Sequence, residues 1–359
     1  MTATAVQLPA RWQNKEQWKV PGRVVFAGRR GGEVNAEDPT HAALLAQLID
    51  VQVLPFTDEQ GKVTPEVADA DVVITGGMPI GEREVSQLPK TRLLLRPYVG
   101  YDDIDVEAVN AQGILMANVP DAFSEEVANH ALCLILAMNQ QLLVSDKYVR
   151  SGEWERRRGR PNWNPPIHRL SVQTLGLVGF GTIARMVAQR AAPFGYRILA
   201  YDPYLSQDVA DAYSVRLVDL DELLQESDVV SVHTFLAAST RHLVNAQRLA
   251  QMKKTAYLIN TARGPIVDEE ALAEALRSGQ LAGAGLDVTE VEPLVASSPL
   301  IQMENVILTP HMASASVEGA QALKRRVAEI AAAVAMGRLP ERHVTVNKGL
   351  YDQLAAALG

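Results

Sequence analysis

Residues Leu175–Ala184 read LGLVGFGTIA. Gly179, Gly181 and Ala184 stand in the G-x-G-x-x-G/A register, after an apolar run that predicts a strand and before a stretch that predicts a helix. One glycine permits a tight turn, another lets the backbone approach a diphosphate, and the helix N-terminus supplies amide donors. The stretch therefore predicts the start of a dinucleotide-binding Rossmann domain. The alternative is an α/β protein whose glycine turn binds nothing.

The next predicted strand ends in Asp202, 21 residues after Gly181. A carboxylate there can accept hydrogen bonds from both hydroxyls of a ribose and would repel a 2′-phosphate. This favours NAD over NADP as the cofactor. Alternatively, Asp202 is only a turn residue that ends the strand before Pro203 and binds no ligand.

Short β-branched runs alternate with helix-length amphipathic segments on both sides of this turn, a pattern typical of parallel α/β sheets. The first series of predicted strands is Val24–Ala27, Val51–Phe56, Asp71–Thr75, Leu93–Tyr98 and Ile114–Asn118. The second is Thr174–Phe180, Arg197–Asp202, Val229–Thr234, Ala256–Thr261, Gly283–Val288 and Asn305–Leu308. The fold class is therefore α/β, with two domains.

The segments between and beyond the two series are also predicted from pattern. Ser124–Trp154 reads as one long helical stretch, and the Arg/Pro-rich Glu155–Pro166 as a solvated surface loop, with an anion-binding patch as the alternative. Ser316–Gly337 predicts a helix, followed by a polar tail. Met1–Val20 is polar and predicts a loosely ordered extension.

Composition narrows the class of protein. The chain has 359 residues, 47% hydrophobic and 21% charged, which is a globular balance. A formal net charge of −8 argues against a nucleic-acid surface, so an anionic substrate must be held by local cations. The apolar run Ala131–Met138 is too short to span a membrane, and no secretory leader pattern opens the chain, so we expect a cytoplasmic protein without membrane partners. The single cysteine, Cys133, rules out an internal disulfide and a thiolate metal cluster; we expect it to be buried, and we expect no metal site.

Three further segments place polar side chains just after three successive predicted strands. They are LINTARGPIVD (258–268), GAGLDVTEVEP (283–293) and LTPHMA (308–313), which carry Arg263, Glu292 and His311. Because ligands of an open parallel sheet bind outside the carboxyl ends of its strands, a cation, a carboxylate and an imidazole can converge there. Singly, each could be an ordinary loop residue.

With these segments the chain resembles the D-isomer-specific 2-hydroxyacid dehydrogenase family over nearly its whole length beyond the first twenty residues. YVGYDDI (98–104), NVPDAFSEEVANH (118–130) and VSVHTFLAASTRHLVN (230–245) contribute to the resemblance. It is most similar to the branch of phosphoglycerate dehydrogenases and C-terminal-binding proteins, on YDPYLS (201–206) and GRLPERHVTVNK (337–348).

The resemblance implies a Rossmann NAD-binding domain at 124–316, inserted into a flavodoxin-like substrate domain at 1–123 and 317–359, with the substrate in the cleft between them. It implies hydride transfer between NAD and the C2 position of a small 2-hydroxy or 2-oxo acid. Arg263 would bind the substrate carboxylate, His311 would relay the proton, and Glu292 would orient His311 and favour its charged form. The residues expected at the cofactor are Gly179, Gly181, Thr182, Ile183, Asp202, Pro203, His233, Thr234, Thr240, Thr261, Ala262 and Asp287, the last near the nicotinamide amide.

On the substrate side, the resemblance implies contacts from Arg96 and from the backbone at Val99 and Gly100. A structural ion pair is the alternative for Arg96. Met78, in the loop Gly76–Ile80, is a further expected contact. Arg29 and Arg30 could meet a second anionic group, although surface arginines explain that pair as well.

Two departures from the family pattern stand out: Asn129 precedes His130 where glutamate is usual, and Asp103 replaces the usual asparagine. We expect His130 to have a packing or interdomain role. The resemblance also implies a homodimer, with Ser124–Trp154 contributing to the interface. The rival hypothesis is an NAD-sensing dimeric interaction protein with little turnover, as in the corepressor members of this branch.

Overall fold

The computed structural model describes residues 8–13, 18, 20–28, 51–163 and 165–358. The chain divides into two compact units. One consists of Met1–Phe123 and Ser316–Gly359, and the other of Ser124–Ala315.

The first unit contains a five-stranded parallel sheet. Its strands are β1 (Val24–Gly28), β2 (Val51–Pro55), β3 (Val72–Thr75), β4 (Leu93–Leu95) and β5 (Leu115–Ala117), in the order β2-β1-β3-β4-β5. This is the order of flavodoxin-like folds. Its helices are Ala10–Gln13, Pro65–Ala68, Glu82–Val85, Val106–Ala111, Val317–Ala335 and Lys348–Leu358. Because β1, β3, β4 and β5 are buried on both faces, they read as largely apolar runs in the sequence, whereas the edge strand β2 is partly exposed.

The second unit contains a seven-stranded parallel sheet. Its strands are β6 (Thr174–Val178), β7 (Arg197–Tyr201), β8 (Arg216–Leu217), β9 (Val229–Val232), β10 (Tyr257–Asn260), β11 (Gly283–Leu286) and β12 (Val306–Leu308). Their order is β12-β11-β10-β9-β6-β7-β8, which is the Rossmann order with one added strand. Its helices are Ser124–Asn139, Leu142–Arg150, Glu153–Arg157, Thr182–Ala191, Gln207–Asp211, Leu220–Glu226, Ala246–Leu249 and Glu269–Arg277. The predicted α/β fold class is confirmed.

The order of this sheet reverses between β6 and β9, and crevices at such points bind ligands in doubly wound folds. The glycine turn follows β6, and His233 and Thr234 follow β9. The fold therefore brings these segments to the same edge of the sheet.

The predicted long helix Ser124–Trp154 was wrong as a single element. The structure breaks it at Gln141 (φ 46°) and Gly152 (φ 77°), both in left-handed backbone conformations that end helical hydrogen bonding. Within the described residues, no single helix is long and apolar enough to cross a membrane. The helices Ser124–Asn139 and Leu142–Arg150 meet that criterion only as a pair bent by 60°.

Described residues near both ends of the chain are more ordered than predicted. Trp12, expected in a loose extension, is 1% exposed, donates a hydrogen bond to the Gly113 carbonyl (2.9 Å) and packs edge-on against Trp18. The expected polar tail contains the helix Lys348–Leu358, whose Leu350 and Leu354 lie in the core of the first unit. Burial of such side chains contributes roughly 1.5–3 kcal/mol each.

Cys133 is exposed, so its predicted burial was wrong. It lies in the helix Ser124–Asn139, whose Ala131, Leu134 and Ile135 side chains are buried. Cys133 falls on the outer face of that helix.

Candidate active site

The glycine turn is held by close packing against the end of β9. Gly179 has φ 88°, and a Cβ there would lie 2.9 Å from the Thr234 amide nitrogen and 3.0 Å from the His233 carbonyl oxygen. An L side chain is thus excluded by backbone conformation and by contact. Gly179 fixes the distance between the two loops at the carboxyl edge of the sheet.

Gly181, two residues later, differs in that a Cβ built there would have no atom within 4 Å. It precedes the ten-residue helix Thr182–Ala191, where Thr182 is exposed and Ile183 is half-buried. The N-terminal amides of a helix attract anions. Across the described part of the chain, the buried Thr261 hydroxyl has no hydrogen-bond partner, although it follows β10 at the same edge of the sheet. An open, amide-lined turn and an unsatisfied hydroxyl at this edge fit a dinucleotide.

Asp202 is fixed beside the same turn. Its Oδ2 accepts a hydrogen bond from the Phe180 amide, and its Oδ1 accepts one from the Tyr204 amide, each at 3.0 Å. Asp202 therefore does hold the turn after its strand, which was the alternative interpretation of this residue. Because each carboxylate oxygen has a second lone pair, these bonds leave acceptor capacity for ribose hydroxyls.

Two polar side chains after β9 have roles within the protein. The His233 Nε2 lies 2.9 Å from the Ser231 hydroxyl, and burial lowers the pKa of His233 to about 4, so its imidazole is neutral at physiological pH. The Thr240 hydroxyl donates to the Phe235 carbonyl (2.7 Å) and accepts from the Ala237 amide (2.8 Å). Thr240 therefore shapes its own loop.

His311 and Glu292 form a hydrogen-bonded pair. The distance from His311 Nδ1 to Glu292 Oε2 is 2.7 Å, and Glu292 Oε1 accepts from the Thr289 amide at 3.1 Å. The bond to Glu292 raises the pKa of His311 against the opposing effects of burial and of the Arg263 charge. Burial favours the neutral form of Glu292, but the bonds from His311 and Thr289, with the charges of His311 and Arg263, lower its pKa. The pair thus favours an imidazolium beside a carboxylate.

Arg263 is held at the end of β10 by local backbone contacts. Its Nη1 donates to the Ala262 carbonyl (2.7 Å), and its own carbonyl accepts from Asn260 Nδ2 (3.0 Å). The charge of Arg263 lowers the pKa of both His311 and Glu292, so the guanidinium lies within electrostatic range of the pair. With the Nδ1 of His311 directed at Glu292, its Nε2 is the atom left to exchange a proton with a substrate.

Asp287, expected near the nicotinamide amide, bonds the loop that carries His311 through its carboxylate. The side chain is 2% exposed, and its oxygens accept from the Thr309 hydroxyl and from the amides of Met312 and Ala313. Asp287 thus supports the loop that carries His311, and its contact with a cofactor stays a prediction. Sequence reasoning missed this function of Asp287 and Thr309, although both lie within the segments that carry Glu292 and His311.

The expected substrate residues lie in the first unit. Arg96 is 5% exposed; it pairs with both carboxylate oxygens of Asp103 at 2.5 Å and donates to the carbonyls of Gly76 and Gly100. The alternative reading of Arg96, a structural ion pair, is what the structure contains. The residue that departs from the family pattern, Asp103, is its partner.

The other residues expected to contact the substrate, Val99, Gly100 and Met78, differ in how far they are buried. Val99 and Gly100 are half-buried in a loop fastened by Asn118 Nδ2, which donates to the Val99 carbonyl (2.7 Å). The Met78 side chain packs in the hydrophobic core, so only its backbone could meet a ligand. Arg29 and Arg30 lie outside the described residues. Among the described residues, no cluster of His, Cys, Asp and Glu could hold a metal ion.

Comparison with known proteins identifies the family. Residues 132–313 match the family model of the D-isomer specific 2-hydroxyacid dehydrogenase, NAD binding domain. The glyoxylate reductase of Korarchaeum cryptofilum is 41% identical over 265 residues, which are 73% of this chain and 78% of that protein. The D-3-phosphoglycerate dehydrogenase of Methanocaldococcus jannaschii is 36% identical over 314 residues, 86% of this chain and 58% of that one. A solved structure of D-lactate dehydrogenase from Aquifex aeolicus, complexed with NAD and lactic acid, superposes with a TM-score of 0.76 at 27% identity, covering 93% of this chain and 98% of that one.

The chain belongs to the D-isomer specific 2-hydroxyacid dehydrogenase family. It is an NAD-dependent oxidoreductase that interconverts 2-hydroxy and 2-oxo acids, as the resemblance implied.

Proposed function

We propose that this protein reduces small 2-oxo acids to D-2-hydroxy acids with NADH, and that Arg263, Glu292 and His311 are its catalytic residues. The observation that carries the proposal is the 2.7 Å bond between His311 and Glu292, with the charge of Arg263 acting on both. A cation for a carboxylate and a proton donor for a developing alkoxide are what the reduction of a 2-oxo acid requires.

Each residue has a separate role. The guanidinium of Arg263, always charged and forked, binds the substrate carboxylate and polarises the C2 oxygen. The imidazolium of His311 donates its proton to that oxygen in reduction, and the neutral imidazole accepts it in oxidation. Glu292 keeps His311 charged and oriented. In reduction NADH supplies the hydride, and in oxidation NAD accepts it.

The binding of NAD is assigned to the second unit. Gly181 and the amides of Thr182 and Ile183 would hold the diphosphate, and Asp202 would accept the ribose hydroxyls. Thr261, with its unsatisfied hydroxyl, would bond the cofactor as well. On this proposal, residues 124–316 are the NAD-binding domain, and residues 1–123 and 317–359 are the substrate domain.

The proposed substrates are glyoxylate and hydroxypyruvate. Two relatives that are each 41% identical to this chain are named glyoxylate reductases. The ion pair of Arg96 with Asp103 neutralises one cation, which favours substrates with a single carboxylate. Contacts from Arg96, Val99, Gly100 and Met78 to the substrate stay predictions.

The test is NADH oxidation with a panel of 2-oxo acids. Replacing His311 with Ala should lower turnover by about 10²–10⁴-fold while NADH binding, followed by fluorescence, is retained. The matched control is His168→Ala, which removes an exposed histidine of the same unit. Equal activity of the His311 variant and the control would remove His311 from the mechanism.

A homodimer is also proposed. The helices Leu142–Arg150 and Glu153–Arg157 expose five apolar side chains, each at 39% or more: Leu142, Leu143, Val144, Val149 and Trp154. An exposed apolar patch of this kind marks an association surface. Leu143→Glu should shift the mass measured by light scattering from dimer to monomer, whereas Met336→Glu, at an exposed methionine of the other unit, should not. A monomeric parent protein would contradict the proposal.

The rival hypothesis of an NAD-sensing interaction protein has no use for the His311–Glu292 pair, because binding alone needs no proton donor. Cytoplasmic location and the absence of membrane and nucleic-acid partners are carried forward as predictions. They rest on the net charge of −8 and on the sequence pattern.

A further inference from the structure

The carboxylate of Asp287 organises the loop that carries His311. It follows β11, and its Oδ1 accepts from the Thr309 hydroxyl (2.6 Å) and the Met312 amide (2.9 Å), while its Oδ2 accepts from the Ala313 amide (2.9 Å). Its main-chain carbonyl accepts from the His311 amide at 2.8 Å. Asp287 therefore bonds four of the five residues from 309 to 313.

The backbone at His311 needs this support. His311 has φ 49°, in the left-handed region, where a residue with a side chain is strained by about 1–3 kcal/mol and persists only if its surroundings hold it. The amide of His311 is held by the carbonyls of Asp287 and Thr309. The conformation that directs His311 Nδ1 to Glu292 is thus maintained by the bonds of Asp287.

A third residue, distant in sequence, completes the network. His130, in the helix Ser124–Asn139, places its Nε2 at 3.0 Å from the Thr309 hydroxyl oxygen and at 3.5 Å from Asp287 Oδ1. The Thr309 hydroxyl has one proton, and an ionised carboxylate can only accept. Because the Thr309 hydroxyl lies 2.6 Å from Asp287 Oδ1, it donates its proton to that carboxylate. The Thr309 oxygen therefore accepts a hydrogen bond from His130, whose Nε2 carries the hydrogen.

We propose that Thr309 and His130 are positioning residues for the proton transfer: they fix the carboxylate of Asp287, and through it the loop that presents His311 to Glu292. This rests on the function proposed above. It also gives His130 a role beyond the packing expected from the sequence. Neither residue is proposed to touch the substrate.

The first experiment uses Thr309→Val and Thr309→Ser. Valine keeps the shape and removes the hydroxyl, whereas serine keeps the hydroxyl. For reduction of a 2-oxo acid, Thr309→Val should lower kcat by about 10–10²-fold through misplacement of His311, while Thr309→Ser stays within about threefold of the parent. The dissociation constant of NADH should change by a smaller factor than kcat in Thr309→Val, because the network does not include the glycine turn.

The second experiment is a double-mutant cycle with His130→Leu. Because His130 acts through the hydroxyl of Thr309, the double variant should be no slower than Thr309→Val alone. His130→Gln, which retains a donor, should be faster than His130→Leu. If Thr309→Val fails to fold, the pair of His130 variants tests the same claim.

A readout that needs no turnover is the NMR titration of His311. In Thr309→Val the pKa of His311 should fall toward its ordinary value, because the bond to Glu292 is weakened; Glu292, Arg263 and Asp287 are the charged groups that act on it. The serine variant should titrate like the parent.

Three results would overturn the inference: parent-like kcat and titration in Thr309→Val, a serine variant as slow as the valine variant, or additive effects in the cycle. If the parent reduces no 2-oxo acid, the proposed function fails instead. In that case the titration of His311 still decides whether the network positions it.

Discussion

The loop after β10 lies so close to the loop after β11 that Gly264→Ala makes a sharp test of the site. A Cβ at Gly264 would lie 1.8 Å from the Thr289 carbonyl oxygen, 2.0 Å from its carbonyl carbon and 2.5 Å from the Glu290 nitrogen. All three atoms are backbone, so no side chain can rotate away. Ordinary contact begins at 3.4 Å, so the two loops must separate by about 1.6 Å (3.4 minus 1.8).

This separation would act directly on the catalytic residues. Arg263 precedes Gly264, and the amide of Thr289 bonds Glu292 at 3.1 Å. A displacement of about 1 Å at an active site can cost about 10²-fold in rate, so we expect kcat/KM to fall at least about 10²-fold, near 2.7 kcal/mol. Overpacking should also destabilise the protein by about 1–3 kcal/mol.

The assay is steady-state NADH oxidation with glyoxylate, alongside thermal unfolding and NADH binding. Gly349→Ala is the matched control, because a Cβ there meets nothing within 4 Å. NADH affinity should fall by a smaller factor than kcat/KM in Gly264→Ala, since the glycine turn and Asp202 are unchanged, and should be retained in the control. Parent-like kcat/KM in a folded Gly264→Ala protein would refute the claim that this close approach positions Arg263.

Three further predictions concern the proton relay, the cofactor and the core. Glu292→Gln replaces the charged acceptor of His311 Nδ1 with a neutral amide oxygen, so the pKa of His311 falls. Since reduction needs the imidazolium, the alkaline limb of the kcat/KM profile should move to lower pH, and an unchanged profile would argue against the pairing. Asp202→Ala should narrow the preference for NAD over NADP, measured as the ratio of kcat/KM values; a constant ratio would mean that another residue reads the ribose. Trp12→Ala should destabilise the protein by about 3–5 kcal/mol in urea unfolding, and a loss below about 1 kcal/mol would contradict its burial in the core.

Most strands were predictable because buried parallel strands read as short apolar runs. The ends of the strands were not predictable, because a strand ends where its pairing with a neighbour ends. The predicted strand Leu93–Tyr98, for example, stops at Leu95, and the Arg96 side chain bonds Asp103 and the Gly76 carbonyl. The break at Gln141 also escaped prediction, because no glycine or proline marks it. The helix Lys348–Leu358 was missed too, although its buried Leu350 and Leu354 stand four residues apart, the spacing of one helix face.

The part of the candidate site that depends only on where residues follow strands in the sequence could be predicted. Arg263, Glu292 and His311 each follow a strand of a parallel sheet, so their convergence follows from topology. The pairing of Asp287 with Thr309 and His130 could not be predicted, because it depends on side-chain directions and on a contact across 179 residues. A structural ion pair was the alternative for Arg96, but its partner, Asp103, was missed because the two residues were interpreted separately, one as a family match and the other as a family departure.

The central claim is that a hydride moves from NADH to C2 of a 2-oxo acid while His311 protonates the oxygen. It is tested most directly by reduction of hydroxypyruvate or pyruvate with NADH deuterated at C4 of the nicotinamide, followed by mass and chiral analysis of the product. We predict one deuterium at C2 of the D-2-hydroxy acid. A product without deuterium at C2, or one of L configuration, would contradict the account.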